Sequence, residues 1–211
     1  MFADRSNAGF KLVEKLREFE IINPLVLAIP NGGVETSLPI VDSLNSSFDL
    51  LIVEKLRLPM NPKSNFGSIT EDGSVNFNDF EKFINHEEKM EIISKTKIEM
   101  RKKVGVYRSF KNTTDLKGRN VIIVDDGVNH GSTLQACITS CKKRKAASIT
   151  IAVPVLSNKA YKELIPRVER IVHLIKPGIF KGLSSYYNNY KDISDEMCKK
   201  RLDMILSHEP A

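Results

Sequence analysis

One stretch of the chain decides the fold, and it reads Val121-Ile122-Ile123-Val124-Asp125-Asp126-Gly127-Val128-Asn129-His130-Gly131-Ser132-Thr133. Its first four residues form an apolar run of strand length, typical of a strand that helices cover on both faces. Two adjacent carboxylates, Asp125 and Asp126, follow directly. A loop of glycines and hydroxyls then leads into a helical pattern from 133 to about 145. We therefore expect both carboxylates at the carboxyl end of a sheet, where open α/β sheets bind their ligands.

The loop after these carboxylates predicts an anion site. The backbone N–H groups of residues 129–133, with the positive end of the following helix, would surround a phosphate group. The carboxylates would accept hydrogen bonds from the vicinal hydroxyls of a sugar, so one site would hold a sugar by its diol and its phosphate. The plainer alternative is that the carboxylates cap the next helix or are solvated. Neither a GxxxxGK[ST] loop nor a GxGxxG fingerprint occurs in the sequence.

Strand and helix patterns alternate along the rest of the chain. Further apolar runs of strand length lie at 25–29, 50–53, 148–153 and 171–175. Helical patterns lie at 10–19 behind Ser6, at 34–44, at about 80–104, at 158–164 and after Ser194. We predict an α/β fold with a doubly wound, mostly parallel sheet flanked by helices. Residues 1–211 would form a single domain, with an irregular hood insertion at about 54–79, rich in Pro and Gly, and a C-terminal cap at about 177–211.

The composition narrows the class of protein. The 211 residues are 41% hydrophobic and 27% charged, as in folded globular domains, and the net charge of +6 favours partners that carry phosphate. Cys137, Cys141 and Cys198 form no CxxC pair, which argues against a disulfide framework or a four-ligand zinc site. Because the first 20 residues are highly charged and no apolar run approaches a membrane span, we expect a cytoplasmic protein without a membrane partner. The basic runs at 101–103 and 142–145 are typical of solvated helix ends, so we do not expect nucleic acid to bind.

The segment 124–133 resembles the ribose-5-phosphate-binding motif of the type I phosphoribosyltransferases. That motif is an apolar strand followed by two acidic residues and a Thr-Gly-x-Thr-like loop. The resemblance extends over most of the chain to a group of these proteins whose acceptor is not defined. It is carried by Asp4-Arg5 with Ala8-Gly9, Ile29-Pro30-Asn31-Gly32-Gly33-Val34, Asn61-Pro62 before Phe66-Gly67, and Tyr186-Tyr187.

The resemblance implies an activity and a set of site residues. In that superfamily, 5-phosphoribosyl-1-pyrophosphate binds with Mg²⁺, and a nitrogen nucleophile displaces pyrophosphate at the anomeric carbon. Asp125 and Asp126 would be the catalytic pair, would hold the ribose hydroxyls, and would contact the metal directly or through substrate and water. The 5-phosphate would lie on Gly127, Val128, Asn129, His130, Gly131, Ser132 and Thr133. The pyrophosphate would lie on Asn31, Gly32 and Gly33, with Lys55, Arg57 and Lys63 closing over it from the hood.

Each of these assignments has a simpler alternative. The stretch 31–33 fits an ordinary strand-to-helix turn, and the hood cations fit a solvated basic face. His130 either donates to the phosphate or contributes only its backbone N–H. The aromatic residues after the last strand either stack on a small nitrogen-heterocycle acceptor or pack the cap; they are Phe180, Tyr186, Tyr187 and Tyr190. A homodimer is expected by analogy with the family.

Three residues depart from the family pattern. Asn31 and Glu54 stand where the family usually has arginine, and His130 stands where it usually has Thr. If these positions line the pyrophosphate site, one charged contact becomes a neutral one and another becomes a repulsion. We therefore keep two functions open. One is transfer of a 5-phosphoribosyl group to a nucleobase-like nitrogen with release of pyrophosphate, and the other is a non-catalytic regulatory protein that binds phosphoribosyl pyrophosphate or a nucleotide.

Overall fold

The computed structural model describes residues 1–108 and 113–206. Within these ranges it contains two β-sheets and six α-helices. The elements are, in chain order, α1 (Arg5–Leu16), β1 (Leu25–Ala28), α2 (Gly32–Leu44), β2 (Ser47–Leu50), β3 (Val53–Leu58), β4 (Asn61–Thr70), β5 (Val75–Phe77), α3 (His86–Arg108), β6 (Asn120–Val124), α4 (Ser132–Lys143), β7 (Ser148–Val155), α5 (Asn158–Leu164), β8 (Arg170–Ile175) and α6 (Asp195–Leu206).

The main sheet is parallel, with the strand order β2-β1-β6-β7-β8. The predicted parallel sheet flanked by helices is confirmed. Strands β1 and β6 are neighbours, and Ala28 is paired with Val124, so the loops after both strands leave the same edge side by side. Because the chain winds outward in opposite directions from these two strands, the topological switch point of the sheet lies between them.

The two faces of this sheet are covered by different helices. Along β1 and β6, alternate side chains point to opposite faces, as the period of a strand requires. Val26 and Ile122 pack into a core with α1 and α2, whereas Leu27 and Ile123 pack into a second core with α4 and α5. The free thiol of Cys137 is buried in the second core, as are the side chains around it.

The hood is more regular than the sequence predicts. Strands β3, β4 and β5 form a second, antiparallel sheet, so the expectation of an irregular insertion was wrong. Register shifts around Arg57 interrupt the alternation of apolar and polar residues that would identify these strands in the sequence. Gly67 interrupts it as well, because it closely approaches β5, where a Cβ atom would lie 2.6 Å from the carbonyl oxygen of Asn76. The turn at Gly73, with a φ of +81°, closes the hairpin between β4 and β5.

Several boundaries also differ from the predicted ones. The apolar run at 50–53 spans the end of β2 and the start of β3, because the chain stays buried while it passes from one sheet to the other. Helix α1 begins earlier than expected, since the side chain of Asp4, not Ser6, accepts a hydrogen bond from the backbone N–H of Asn7. Helix α3 begins at His86, behind a cap formed by Asn85. Residues 207–211 of the predicted cap lie outside the described residues.

Candidate functional site

A cavity of about 570 Å³ lies at the carboxyl ends of β1 and β6. It brings together almost all of the residues that the sequence predicts for the site. These are Asn31, Gly32, Lys55, Arg57, Asp125, Asp126, Gly127, Val128, Asn129, His130, Gly131, Ser132 and Thr133. Gly33 is not among them, because it lies behind the cavity wall, where a Cβ atom would approach the carbonyl oxygen of Val124 to 2.5 Å. Gly33 therefore permits the close approach of α2 to β6.

The loop at 127–131 is held by its neighbours at both ends. The backbone N–H of Val128 donates to the carbonyl oxygen of Val155, and the hydroxyl of Ser157 donates to the carbonyl oxygen of Asn129. Gly131, with a φ of +76°, turns the chain into α4. Among the described residues, no protein acceptor is bonded to the backbone N–H groups of 129–133. These N–H groups and the N-terminus of α4 therefore form a cradle of free donors suited to an anion.

The two carboxylates of the pair have different surroundings. Asp125 is partly exposed to the cavity, and its Oδ1 accepts a hydrogen bond of 2.9 Å from the backbone N–H of Asp126. Burial raises the pKa of the Asp125 carboxyl well above its usual value, and the negative charge of Asp126 raises it further, while Lys55 opposes the shift. Asp126 is buried and paired with a cation, because Arg5 Nε lies 2.7 Å from its Oδ2.

The Asn31-Gly32 turn is packed against this pair. A Cβ atom on Gly32 would lie 2.2 Å from Asp126 Oδ2, so only glycine fits there with the carboxylate in place. The side chain of Asn31 is already bonded within the protein. Its Nδ2 donates to the carbonyl oxygen of Ile193 at 2.6 Å and to Asp195 Oδ1 at 3.0 Å, and its Oδ1 accepts from the hydroxyl of Tyr107. Asn31 therefore ties the turn to α3 and α6.

A lysine that the sequence does not point to supplies positive charge on the cavity wall. Lys103 Nζ lies 2.6 Å from Glu54 Oε1, and both residues line the cavity. The negative charge of Glu54, which the sequence predicts to repel pyrophosphate, is therefore neutralised by Lys103 from α3. Lys55 and Arg57, on β3, are largely exposed, and Arg57 Nη1 donates to the carbonyl oxygen of Pro62. The side chain of Lys63 lies outside the described part of the structure.

The comparison with protein families agrees with this geometry. A family model described as "Phosphoribosyl transferase domain" matches residues 6–187. The chain belongs to the phosphoribosyl transferase family.

Individual relatives are similar to this chain over most of its length. A protein of Mycobacterium tuberculosis named "Putative phosphoribosyl transferase" is 29% identical over 206 residues, which are 96% of this chain and 46% of that protein. The chain thus spans about half the length of the curated relatives it matches. The crystal structure of the protein TT1426 from Thermus thermophilus has a TM-score of 0.82 at 28% identity and covers 95% of this chain and 97% of that one. A Neisseria gonorrhoeae protein solved with bound ppGpp shares the fold alone, with a TM-score of 0.50 at 16% identity over 82% of this chain and 78% of that one.

The aromatic residues of this phosphoribosyl transferase domain divide into two groups. Tyr187 is buried against Phe2 and Val155, and Phe180 packs on Tyr186 with ring centroids 5.7 Å apart. Tyr190 lines the cavity, and its hydroxyl donates to Asp126 Oδ2 at 3.0 Å. The packing alternative therefore describes three of the four aromatic residues, and Tyr190 belongs to the site.

Sequence reasoning gave no site role to Arg5, Lys103 or Leu183, and it named Tyr190 only as a stacking or packing residue, because all four are distant in the chain from the motif. Arg5 and Tyr190 lie near opposite ends of the chain, and Leu183 packs on Gly127. Arg5 stands in the Asp4-Arg5 stretch that carries the family resemblance, which is the one signal that could have pointed to it. Lys103 belongs to the basic run at 101–103, which by sequence alone is interpreted as a solvated helix end.

Two kinds of feature are absent from the described residues. Within residues 1–108 and 113–206, no three His, Cys, Asp or Glu side chains are grouped so that they could hold a metal ion. In the same ranges, no helix combines the length and the apolar character needed to cross a bilayer.

Proposed function

We propose that the protein transfers the 5-phosphoribosyl group of phosphoribosyl pyrophosphate to a nitrogen of a nucleobase-like heterocycle and releases pyrophosphate. One observation carries the proposal: a cradle of free backbone N–H groups and an acidic pair meet in one cavity of a chain that belongs to the phosphoribosyl transferase family. The cradle would bind the 5-phosphate, and the acidic pair would accept hydrogen bonds from the ribose hydroxyls.

The acidic pair would also act on the reacting carbon. Loss of pyrophosphate leaves positive charge on the ring, so a fixed carboxylate close to the ribose would stabilise the transition state without moving. Asp126 is suited to this role because its position is fixed by Arg5 and Tyr190. The cradle, by holding the phosphate end, would orient the sugar for attack by the acceptor nitrogen.

The pyrophosphate would lie between the Asn31-Gly32 turn and the hood. The backbone of this turn opens α2, so its N–H groups would face the anion. Lys103 lines the same cavity from α3, and Lys55 and Arg57 line it from β3. This grouping of cations supports a leaving group that carries several negative charges.

The donor set fits Mg²⁺ as the cofactor. Asp125 and Asp126 supply two carboxylates. This number suits Mg²⁺, which is commonly held by one or two carboxylates together with substrate phosphates and water. These two residues would hold the ion with the donor, and the bound ion would neutralise charge on the pyrophosphate. The proposal also includes a cytoplasmic location and a homodimer, which rest on the sequence and on the family analogy.

One observation favours a second candidate, a non-catalytic protein that binds phosphoribosyl pyrophosphate or a nucleotide. The side chain of Asn31 is occupied by Tyr107, Ile193 and Asp195, so it offers no free donor to a pyrophosphate group. A site that binds the donor but stabilises the leaving group poorly would bind without turnover.

Two measurements on the same protein separate these candidates. Calorimetric titration with phosphoribosyl pyrophosphate and Mg²⁺ measures binding, and pyrophosphate release with a panel of purines, pyrimidines and azoles measures turnover. Binding with release is the expected result, abolished in Asp125→Asn and retained in Asp203→Asn, an exposed position on α6. Binding without release on every acceptor would favour the regulatory candidate, and absence of binding would exclude both.

A further inference from the structure

The Oδ2 atom of Asp126 is held by two residues from opposite ends of the chain. Arg5 Nε lies 2.7 Å from this oxygen, and the hydroxyl of Tyr190 donates to it at 3.0 Å. The guanidinium carbon of Arg5 lies 4.0 Å from the centre of the Tyr190 ring, so the two partners also stack on each other. The three side chains form one compact unit beside the cavity.

Arg5 is itself held in place by further contacts. It is the first residue of α1, directly after the capping residue Asp4. Its Nη1 donates to the carbonyl oxygen of Lys191 at 2.9 Å and lies 3.7 Å from Glu35, which is paired in turn with Arg201. Only 5% of the Arg5 surface is exposed. These contacts fix the position of the guanidinium group beside Asp126.

The arrangement leaves one oxygen of Asp126 available. Within the described residues, no amide, hydroxyl or cationic group donates to Asp126 Oδ1, although Asp126 lines the cavity. The hydroxyl of Tyr187 also fixes the backbone at this point, since it donates to the carbonyl oxygen of Asp126 at 2.6 Å. Both the backbone and one carboxylate oxygen are therefore anchored, and Oδ1 is the remaining acceptor.

We propose that Arg5 and Tyr190 are positioning residues, which hold Asp126 Oδ2 so that Oδ1 accepts hydrogen bonds from the ribose hydroxyls of the donor. The inference rests on the proposed function and goes beyond it, because it assigns a role to two residues outside the binding motif. A carboxylate fixed by neighbouring side chains needs no reorganisation when the sugar binds. Without this support the carboxylate would have several orientations, and the preference for a sugar with both hydroxyls would fall.

The test compares two ligands on each of four proteins. Calorimetry measures the Kd of ribose 5-phosphate and of 2,3-dideoxyribose 5-phosphate, which lacks both hydroxyls. The proteins are the wild type, Arg5→Lys, Tyr190→Phe and the control Tyr186→Phe, whose hydroxyl makes only a 3.4 Å contact with the carbonyl oxygen of Ile179. The ratio of the two Kd values isolates the hydroxyl contacts, because both ligands share the phosphate.

We expect the wild type and Tyr186→Phe to prefer ribose 5-phosphate by the same ratio. That ratio should fall about fivefold in Tyr190→Phe and by at least as much in Arg5→Lys, as expected for weakened hydrogen bonds to a carboxylate. The Kd of the dideoxy ligand should stay unchanged. If Arg5→Lys does not fold, Tyr190→Phe decides alone, because it keeps the ring and removes only the hydroxyl.

An unchanged ratio in the folded variants would overturn the positioning role and leave the proposed function intact. Equal loss of affinity for both ligands would also overturn it, since that result indicates a general structural role. A wild type that binds neither ligand would overturn the proposed function and this inference with it.

Discussion

Lys103 Nζ lies 2.6 Å from Glu54 Oε1, which joins helix α3 to strand β3 on the wall of the cavity. Each side chain is about a quarter exposed, so the pair is neither fully solvated nor deeply buried. A pair of this kind contributes little to stability, about 1 kcal/mol or less. We expect a larger effect on an anionic ligand, because the glutamate charge stays neutralised only while the lysine is present.

Charge removal at this pair should therefore change ligand affinity in opposite directions. Lys103→Gln leaves Glu54 uncompensated, and we expect the Kd of phosphoribosyl pyrophosphate with Mg²⁺ to rise about tenfold. Glu54→Gln frees the lysine and should lower that Kd. Calorimetry on both single variants and on the double variant gives the coupling free energy between Lys103 and Glu54 in ligand binding. The same direction of change in both single variants would contradict a local electrostatic role.

Asp125 should make the stability of the protein depend on pH. Its pKa is raised above that of the unfolded chain by burial and by Asp126, so the folded protein keeps a proton that the unfolded chain releases. The contribution of the protonated Asp125 carboxyl to the free energy of unfolding is complete below the pKa of the unfolded chain. It is lost as the pH rises through the pKa of the folded protein. We expect Asp125→Asn, which cannot ionise, to become more stable relative to the wild type as the pH rises across this window.

Denaturant unfolding at a series of pH values from about 4 upward measures this difference. The control is Asp203→Asn, at an exposed position on α6, whose difference from the wild type should not follow the same course. A constant difference for Asp125→Asn at every pH would show that the carboxyl titrates alike in the folded and unfolded chain.

Alanine at two glycine positions should have different effects. It should weaken donor binding at Gly32 and raise the stability of the protein at Gly105. Gly32→Ala places a Cβ atom 2.2 Å from Asp126 Oδ2, so the carboxylate or the turn has to shift, and we expect donor affinity to fall at least about tenfold. Gly105→Ala, in α3, meets no atom within 4 Å and should stabilise the protein by up to about 1 kcal/mol. Calorimetry and thermal unfolding measure both effects. Normal donor binding by Gly32→Ala would mean that the carboxylate position is not needed.

The sequence predicts the features that are continuous along the chain. The strand, the acidic pair and the cradle all lie within 121–133, so one pattern of hydrophobicity and turn residues describes them together. Arg5, Lys103 and Tyr190 are different, because each reaches the site only after the sheet has brought distant segments together. Position in the fold, and not residue type, decides whether such a cation or aromatic residue faces solvent or the cavity.

Tyr107 should couple the Asn31 turn to the C-terminal helix. Its hydroxyl is within hydrogen-bond distance of Asn31 Oδ1 and of Asp195 Oδ1, at 2.7 Å from the latter. Burial and the neighbouring Asp195 raise the pKa of this hydroxyl, which therefore stays protonated and able to donate. We expect Tyr107→Phe to lower the free energy of unfolding by about 1–2 kcal/mol, because buried partners lose a hydrogen bond.

Amide hydrogen exchange distinguishes this coupling from a general loss of stability. In Tyr107→Phe, amides in α6 and in the Asn31 turn should exchange faster, while the exchange of those in β6 should change only in step with the global stability. Tyr161→Phe is the matched control, since Tyr161 lies on the other face of the sheet beside Lys176, and its stability should change by less than about 0.5 kcal/mol. Uniform acceleration throughout the Tyr107→Phe protein would mean that the hydroxyl stabilises the fold as a whole and does not join these two segments.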